Sequence, residues 1–246
     1  MRYILFGIVY LMLTTHAVGQ LVINELDSDT PGIDDMEFLE LLSDTPNFPL
    51  DGYVVVFFNG SENGNNSSYL ALDLDGFVTD VNGLLLIGSN TVSPVPQYLI
   101  DENTIQNGAD AVAIYQANDL DFPDETVATI NNLIDVLIYD TSDSDDVDML
   151  DIFRADPNFS DIQQINEGSS NNTNSIQRND DGSYTAAVPT PGQLNDGGGI
   201  LVNGIQIEVA ATQYGEGETF DIVFTTEENV SENIDFNISL TDFTFN

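Results

Sequence analysis

Short apolar runs recur along most of the chain, separated by pairs and clusters of Gly, Asn, Asp and Pro. Runs of this length that are rich in branched and aromatic residues and end at turn residues are typical of β-strands. Before the Gly-rich stretch at residues 196–199, the pattern predicts strands at residues 21–26, 38–42, 53–58, 69–72, 84–87, 111–115, 133–139 and 175–178. The chain is therefore predicted to be all-β.

The run at residues 53–58 indicates how these strands are layered. It is apolar at successive positions, so both faces of this strand have to be covered. Asp51 and Gly52 precede the run and Asn59 and Gly60 follow it, and both pairs are typical of turns. A strand of this kind belongs in the middle of a sheet within a β-sandwich.

The stretch at residues 116–177 is the least regular part of the predicted domain. Acidic residues 140–148 and the Asn- and Ser-rich residues 167–174 are predicted to form exposed loops, because both segments are strongly polar. A short helix within residues 147–154 is an open alternative.

The predicted first domain covers residues 20–195 and ends at a flexible Gly-rich linker, residues 196–199. Alternating runs at residues 205–210, 220–225 and 234–245 then predict further strands. Residues 200–246 are too few for a stable sandwich of their own. They are expected to be an incomplete second β module, and the chain to be part of a longer protein.

The amino terminus has the pattern of a secretory signal peptide. Arg2 is followed by an apolar run at residues 3–13 and by the small residues Ala17 and Gly19 around Val18. Residues 1–19 are therefore predicted to be removed by cleavage before Gln20. The apolar run is too short for a comfortable membrane anchor, and no basic flank follows it. We expect a secreted, extracellular or cell-surface protein with no membrane span.

The charge of the chain is strongly unbalanced, with 42 acidic residues against 3 basic ones and a formal net charge of −39. Direct binding to nucleic acid is not expected, because it normally requires clustered Lys and Arg. Two explanations of the acidity stay open, adaptation to a saline environment and specific cation binding. The first is favoured because acidic runs are usually solvated surfaces.

Composition also removes most catalytic chemistry. The chain has no Cys and no Lys, and signal cleavage would remove its single histidine, His16. Disulfides, Ser-His-Asp and Cys-His arrangements, Schiff bases and zinc sites built on imidazole or thiolate are then excluded from the mature chain. Paired carboxylates for glycoside hydrolysis remain, but so acidic a chain always contains such pairs. The chain is predicted not to be an enzyme.

Calcium is the ligand that this chemistry suits best, although no cofactor is required by the sequence. Calcium takes hard oxygen ligands, and acidic side chains are concentrated around the first predicted turn. The candidate metal ligands there are Asp27, Asp29, Asp35 and Glu37, with Asp34 between them. A second, weaker cluster consists of Asp140, Asp143, Asp145, Asp146 and Asp148. The first does not have the spacing of an EF-hand, and both could be solvated acidic loops.

Several segments resemble, in order, the lamin tail domain family in its secreted bacterial form. They are Ile-Asn-Glu-Leu-Asp at 23–27, Glu-Phe-Leu-Glu-Leu at 37–41, Leu-Asp-Gly-Tyr at 50–53, Asn-Gly-Ala-Asp-Ala-Val-Ala-Ile-Tyr at 107–115, Ser-Ile-Gln-Arg at 175–178 and Pro-Thr-Pro-Gly at 189–192. The resemblance implies an immunoglobulin-like β-sandwich without known catalytic residues. Arg178, within one of these segments, is expected to pair with a carboxylate, with Glu25, Glu37 and Glu40 as candidates.

The resemblance implies a secreted non-catalytic module for binding, adhesion or structure within a larger extracellular protein, with an extracellular protein or surface as partner. An alternative is an accessory domain of a secreted hydrolase, of the endonuclease/exonuclease/phosphatase type, whose catalytic domain lies beyond residue 246.

Overall fold

The computed structural model describes residues 21–60, 64–168 and 173–195, and the backbone of two further strands at residues 205–209 and 222–226. The predicted signal peptide at 1–19, the linker at 196–199 and the run at 234–245 lie outside the described residues. The chain divides into two compact units, Met1–Gly198 and Gly199–Asn246. The division falls inside the stretch that the sequence predicts as the linker.

The first unit consists of eleven described strands, one α-helix and two short 3₁₀ turns at Asp119–Asp121 and Pro157–Phe159. The strands are β1 (Leu21–Asp27), β2 (Phe38–Ser43), β3 (Val54–Asn59), β4 (Ser67–Asp73), β5 (Leu84–Gly88), β6 (Tyr98–Leu99), β7 (Asp110–Tyr115), β8 (Leu133–Asp140), β9 (Gln164–Asn166), β10 (Ser175–Arg178) and β11 (Tyr184–Ala187). The helix, α1, is Val147–Arg154.

The strands form two mixed sheets that pack together as an all-β sandwich. The first sheet has the order β11-β10-β1-β2-β5-β6, and the second has the order β4-β3-β7-β8-β9. Neighbouring strands are antiparallel except for β5 with β6 and β8 with β9, which are parallel. The predicted all-β sandwich is confirmed.

The main hydrophobic core lies between the two sheets. Leu26 and Leu41 of the first sheet belong to the same buried cluster as Phe57 and Ile114 of the second. Because successive side chains in a strand point to opposite faces, β3 contributes Val55 and Phe57 to this core and its other apolar residues to a second cluster. The prediction that both faces of this strand are covered is therefore confirmed.

The second cluster lies between the second sheet and α1. Asp146 caps the helix, since its carboxylate accepts a hydrogen bond of 2.9 Å from the backbone N–H of Met149. Met149, Leu150 and Phe153 are buried, and Phe153 meets Phe58 of β3 edge to face with ring centroids 6.2 Å apart. The helix left open by the sequence is thus present, and it covers the outer face of the second sheet.

The two polar segments predicted to be exposed loops are only partly so. Asp140 is the last residue of β8 and is buried, and Glu167, directly after β9, is buried as well. Between them, residues 142–146 are mostly exposed. The prediction fails at both carboxylates because β9, too short to be recognised in the sequence, brings this part of the chain against β8.

The described part of the second unit is one antiparallel pair, β12 (Ile205–Val209) with β13 (Ile222–Thr226). In the parts of the chain that the structure describes, no helix is long and apolar enough to cross a membrane.

Candidate functional site

Two carboxylates lie side by side on the first sheet and are fully buried. Glu25 of β1 and Glu40 of β2 are partners in the register, on the face opposite Leu39 and Leu41. Residues 188–195, which we call the closing segment, cover this face: the backbone N–H of Gly192 donates to Glu40 Oε2 at 2.6 Å. The register of two neighbouring strands therefore places both acids beneath one segment.

Glu25 joins this segment to β10. Its Oε1 accepts hydrogen bonds from the Ser175 hydroxyl at 2.5 Å, from the Gln177 side chain at 3.1 Å and from the backbone N–H of Thr190 at 2.8 Å. Its Oε2 accepts from the Thr190 hydroxyl at 2.7 Å. Every one of these donors is neutral, so the carboxylate holds three segments together through uncharged groups.

Burial is the largest cause of the raised pKa of Glu40, which is about 8, and the neighbouring carboxylates of Glu25 and Asp80 act in the same direction. Hydrogen bonds from the Asn24 side chain, at 2.7 Å, and from Gly192 partly oppose this effect. Glu40 thus combines low solvent access with neighbouring negative charges, an arrangement that favours retention of its proton.

Arg178 pairs with a carboxylate, as expected, but not with Glu25, Glu37 or Glu40. Its Nη1 lies 3.6 Å from Asp135 Oδ2 of β8 in the opposite sheet. The register explains the difference: Gln177 is the partner of Glu25, so the next residue, Arg178, points to the other face of the sheet.

The Arg178 contact links the two sheets. Asp135 Oδ2 also accepts a hydrogen bond of 2.8 Å from the backbone N–H of Ile23 in β1. The Tyr184 hydroxyl accepts from Arg178 Nη1 at 3.0 Å and donates to the Ile23 carbonyl at 2.9 Å. Burial raises the pKa of Asp135 to about 6, and the charge of Arg178 limits the rise. Arg178 therefore has a structural role.

The predicted calcium ligands lie mostly at one end of the first sheet. Asp27 ends β1, and Glu37 directly precedes β2, where Asp27 and Phe38 are partners. Together with a residue that the sequence did not indicate, they form a group that we call the β1–β2 acidic cluster, consisting of Asp27, Asp29, Asp34, Glu37 and Glu167.

Glu37 is 1% exposed, and only one of its carboxylate oxygens is bonded. Oε2 accepts from the backbone N–H groups of Thr104 and Ile105, at 2.9 and 3.1 Å. Oε1 is buried and has no hydrogen-bond partner. Burial raises the pKa of Glu37 to about 8; the two backbone hydrogen bonds lower it, and the charges of Asp34 and Asp27 raise it.

Asp27 shows the same feature: it is 6% exposed, and its Oδ1 is buried without a partner. Its carboxyl group hydrogen-bonds to that of Glu167, whose Oε2 also accepts from the Ser28 hydroxyl at 2.5 Å. Burial, followed by the charge of Glu167, raises the pKa of Asp27, and burial raises that of Glu167. Both shifts favour the protonated form of these two acids in contact.

The other two predicted ligands differ from each other. Asp29 is buried and its charge raises the pKa of Asp27, which places it in the cluster. Asp35 contributes its backbone carbonyl to the hydroxyl groups of Ser89 and Thr91, and its charge acts on Asp34. Burial is the largest cause of the raised pKa of Asp34.

Among the described residues, no three acidic side chains are already arranged to hold a metal ion. Calcium binding at Asp27, Asp29, Asp35 and Glu37, with Asp34 between them, therefore stays a prediction, to which the structure adds Glu167 as a neighbour. No local sequence signal could indicate Glu167, because it is separated from Ser28 by 139 positions and lies in an Asn- and Ser-rich segment.

The acidic side chains of the second predicted cluster make different contacts. Asp146 caps α1, and Asp140 Oδ2 accepts from the Gln164 side chain at 2.6 Å. Asp110 of β7, which the sequence did not indicate, is buried nearby, and burial raises its pKa to about 6. Asp110 Oδ2 and Asp140 Oδ1 are buried without partners.

Two clefts of the described domain are open to solvent. One of about 730 Å³ is lined by residues that include Asn24, Asp44, Arg178 and Asn179, and one of about 410 Å³ by residues that include Asn59, Gln106 and Asp110. Neither cleft is lined by Glu25, Glu40 or Glu37.

Comparisons with family models, with curated proteins and with solved structures gave no match to this chain. The resemblance to the lamin tail domain therefore rests on the sequence segments alone.

Proposed function

We propose that the chain is an exported, non-catalytic module of a larger extracellular protein, with an immunoglobulin-like β-sandwich of the lamin tail type, acting in binding, adhesion or structure. The signal-peptide pattern at residues 1–19 supports export. The order of the six lamin-tail-like segments supports the family type. Its partner is an extracellular protein or surface, since the net charge of −39 disfavours nucleic acid.

One observation carries the non-catalytic part of the proposal: the best-placed pair of acids serves to hold the fold together. Glu25 and Glu40 are adjacent, as the paired acids of a glycosidase would have to be. Both are fully buried beneath the closing segment, and their oxygens accept hydrogen bonds from Thr190 and Gly192. A substrate has no access to carboxylates in this position.

Asp135 supports the same proposal. It is buried, and its Oδ2 is engaged by Arg178 and by the backbone of Ile23. The strongly perturbed acids of a hydrolase are expected to face a cleft. In this chain Asp135 instead joins β8 to Arg178 of β10 and to Ile23 of β1, which is the arrangement expected of a structural module.

The test of the non-catalytic role is an activity screen with a matched variant. The chain, purified after export from an expression host, is incubated with DNA, phosphoesters and polysaccharides in the presence of calcium and magnesium. We expect no turnover above that of the Glu25→Gln/Glu40→Gln double variant. Turnover by the unsubstituted chain that the double variant lacks would contradict the proposal.

Export is tested with two reporter fusions, one that contains residues 1–246 and one that contains residues 20–246. We expect only the longer fusion to leave the cytoplasm, because only it carries the predicted signal peptide. Equal retention of both fusions would show that the module is not exported by this segment.

A further inference from the structure

We propose that the β1–β2 acidic cluster is a calcium site, with Asp27 and Glu37 as its central ligands and Asp29, Asp34 and Glu167 around them.

The first argument is the pair of buried oxygens without partners. Asp27 Oδ1 and Glu37 Oε1 accept no hydrogen bond, although their side chains are 6% and 1% exposed. Buried polar atoms are nearly always bonded, and a buried carboxylate oxygen without a donor is especially costly. A cation held between the two carboxylates would satisfy both atoms.

The second argument is that these two oxygens belong to one group of charges. Glu37 lies within electrostatic range of Asp27 and Asp34, and Asp27 lies within range of Glu167 and Asp29. Each carboxylate is an unfavourable neighbour for the next, because like charges in a buried place repel one another strongly. A divalent ion between them would replace this repulsion by attraction.

Calcium is the cation that fits the donors. All the side chains of the cluster supply carboxylate oxygens, which suit hard cations, and neither thiolate nor imidazole is present among them to select zinc. Magnesium requires a near-ideal octahedron and keeps several waters, whereas calcium tolerates irregular sets of six to eight oxygens. An irregular, largely buried group of acids on a turn and two strand ends therefore favours calcium.

The ion has to draw its ligands together, since no three acids of the described chain are arranged for a metal beforehand. The loop between β1 and β2 carries Asp29, Asp34 and Glu37, and its backbone is held locally and by distant residues: the Asp34 carbonyl accepts from the backbone N–H of Asn103 at 2.7 Å, and the Asp35 carbonyl accepts from the Ser89 and Thr91 hydroxyls. The backbone N–H of Thr30 donates to Asp34 Oδ1 at 3.0 Å, and Gly32 adopts a φ of 101°. Asp27 and Glu167 are likewise fixed, on a strand end and directly after one. The ligands would therefore come together by movement of side chains rather than of the loop.

Glu40 of β2 provides the matched control. It is also fully buried, but both of its carboxylate oxygens accept hydrogen bonds, from the Asn24 side chain and from the backbone N–H of Gly192. Glu40→Gln therefore makes the same chemical change as Glu37→Gln at a place where no ion is proposed.

The experiment is a calcium titration of the exported, purified chain in ample sodium chloride, followed by calorimetry and by thermal unfolding. We expect one calcium ion per chain with a Kd on the order of 10⁻⁴ to 10⁻³ M, as in other extracellular modules. At ten times the Kd, the melting temperature should rise by about 3–6 °C, and EDTA should reverse the rise.

The variants give opposite expectations in the presence and absence of the ion. Asp27→Asn and Glu37→Gln should weaken calcium binding about tenfold or more, because each removes a charged ligand. Without calcium they should melt no lower than the unsubstituted chain, because each replaces a buried acid, whose ionisation burial opposes, by a neutral amide of the same size. Glu40→Gln should bind calcium normally.

Three results would overturn the proposal: no binding heat with the unsubstituted chain, a melting shift that sodium chloride alone reproduces, or loss of binding in Glu40→Gln with binding kept in Asp27→Asn. If Glu37→Gln does not fold, Asp27→Asn provides the comparison. The calorimetric titration of the unsubstituted chain needs neither variant.

Discussion

Replacement of Glu40 by glutamine should change how the stability of the domain depends on pH. Glu40 is fully buried, and its pKa is raised from 4.5 to about 8 by burial and by the carboxylates of Glu25 and Asp80. Between these two pKa values the folded state binds one more proton than the unfolded state. The stabilising contribution is thus fully present below pH 4.5 and is lost as the pH rises to about 8.

The size of the effect follows from the shift. Each pKa unit corresponds to about 1.4 kcal/mol, so about 3.5 units amount to about 5 kcal/mol, lost at about 1.4 kcal/mol per pH unit. The glutamine side chain of the variant cannot ionise, and it keeps a carbonyl acceptor for one of the two donors, Asn24 and Gly192. The free energy of unfolding of Glu40→Gln should therefore increase relative to that of the unsubstituted chain as the pH rises.

The assay is urea denaturation from about pH 4.5 to 8.5 at constant ionic strength, with EDTA present so that no divalent ion contributes. Glu102→Gln removes the same charge from an exposed position and reports the effect of net charge alone. The reasoning is refuted if the difference between the unsubstituted chain and Glu40→Gln stays constant within about 1 kcal/mol over this range.

Three further substitutions test the packing around this face and the helix. Phe153→Ala should lower the free energy of unfolding, measured by urea denaturation, by about 3–5 kcal/mol, because the ring is fully buried against Phe58. Val147→Ala, on the exposed side of α1, should lower it by under about 1 kcal/mol. Equal losses would mean that the helix does not pack on the sheet. Arg178→Met should destabilise the chain by about 2–4 kcal/mol at pH 8 and by less at pH 5, where Asp135 can be protonated; a deficit independent of pH would contradict the ion pair. Gly192→Ala should lower the melting temperature more than Gly76→Ala, although both glycines have a positive φ. An added Cβ at Gly192 would lie 2.5 Å from Pro94 Cγ, whereas at Gly76 it would have no atom within 4 Å. Similar losses in the two variants would show that the closing segment is loosely held.

The strands could be predicted because their signal is local. Runs such as residues 53–58 and 111–115 are apolar on both faces and end at turn residues, and they form β3 and β7 within about one residue of the prediction. The short strands β6 and β9 carry no such signal, because each is defined by parallel pairing with a strand already in place.

The site could be predicted only in part, for a related reason. A dense acidic turn is visible in the sequence, so Asp27, Asp29 and Glu37 could be named. That Glu167 joins them, and that Arg178 faces Asp135, depends on register and on contacts between segments far apart in the chain. A single sequence records composition at each place but not which buried acid faces which donor.

The acidity of this chain has two components that respond to different ions. Exposed carboxylates repel one another, and dissolved salt screens this repulsion beyond about 8–10 Å. Sodium chloride at high concentration is therefore sufficient to weaken it. Asp27, Glu37 and Glu167 are buried, where bulk ions do not enter and where proton binding or a specific cation is the only relief. Screening by salt thus acts on the surface carboxylates but not on the buried ones. The raised pKa values of these acids and the oxygens without partners at Asp27 and Glu37 are therefore where a cation requirement of this protein should be sought.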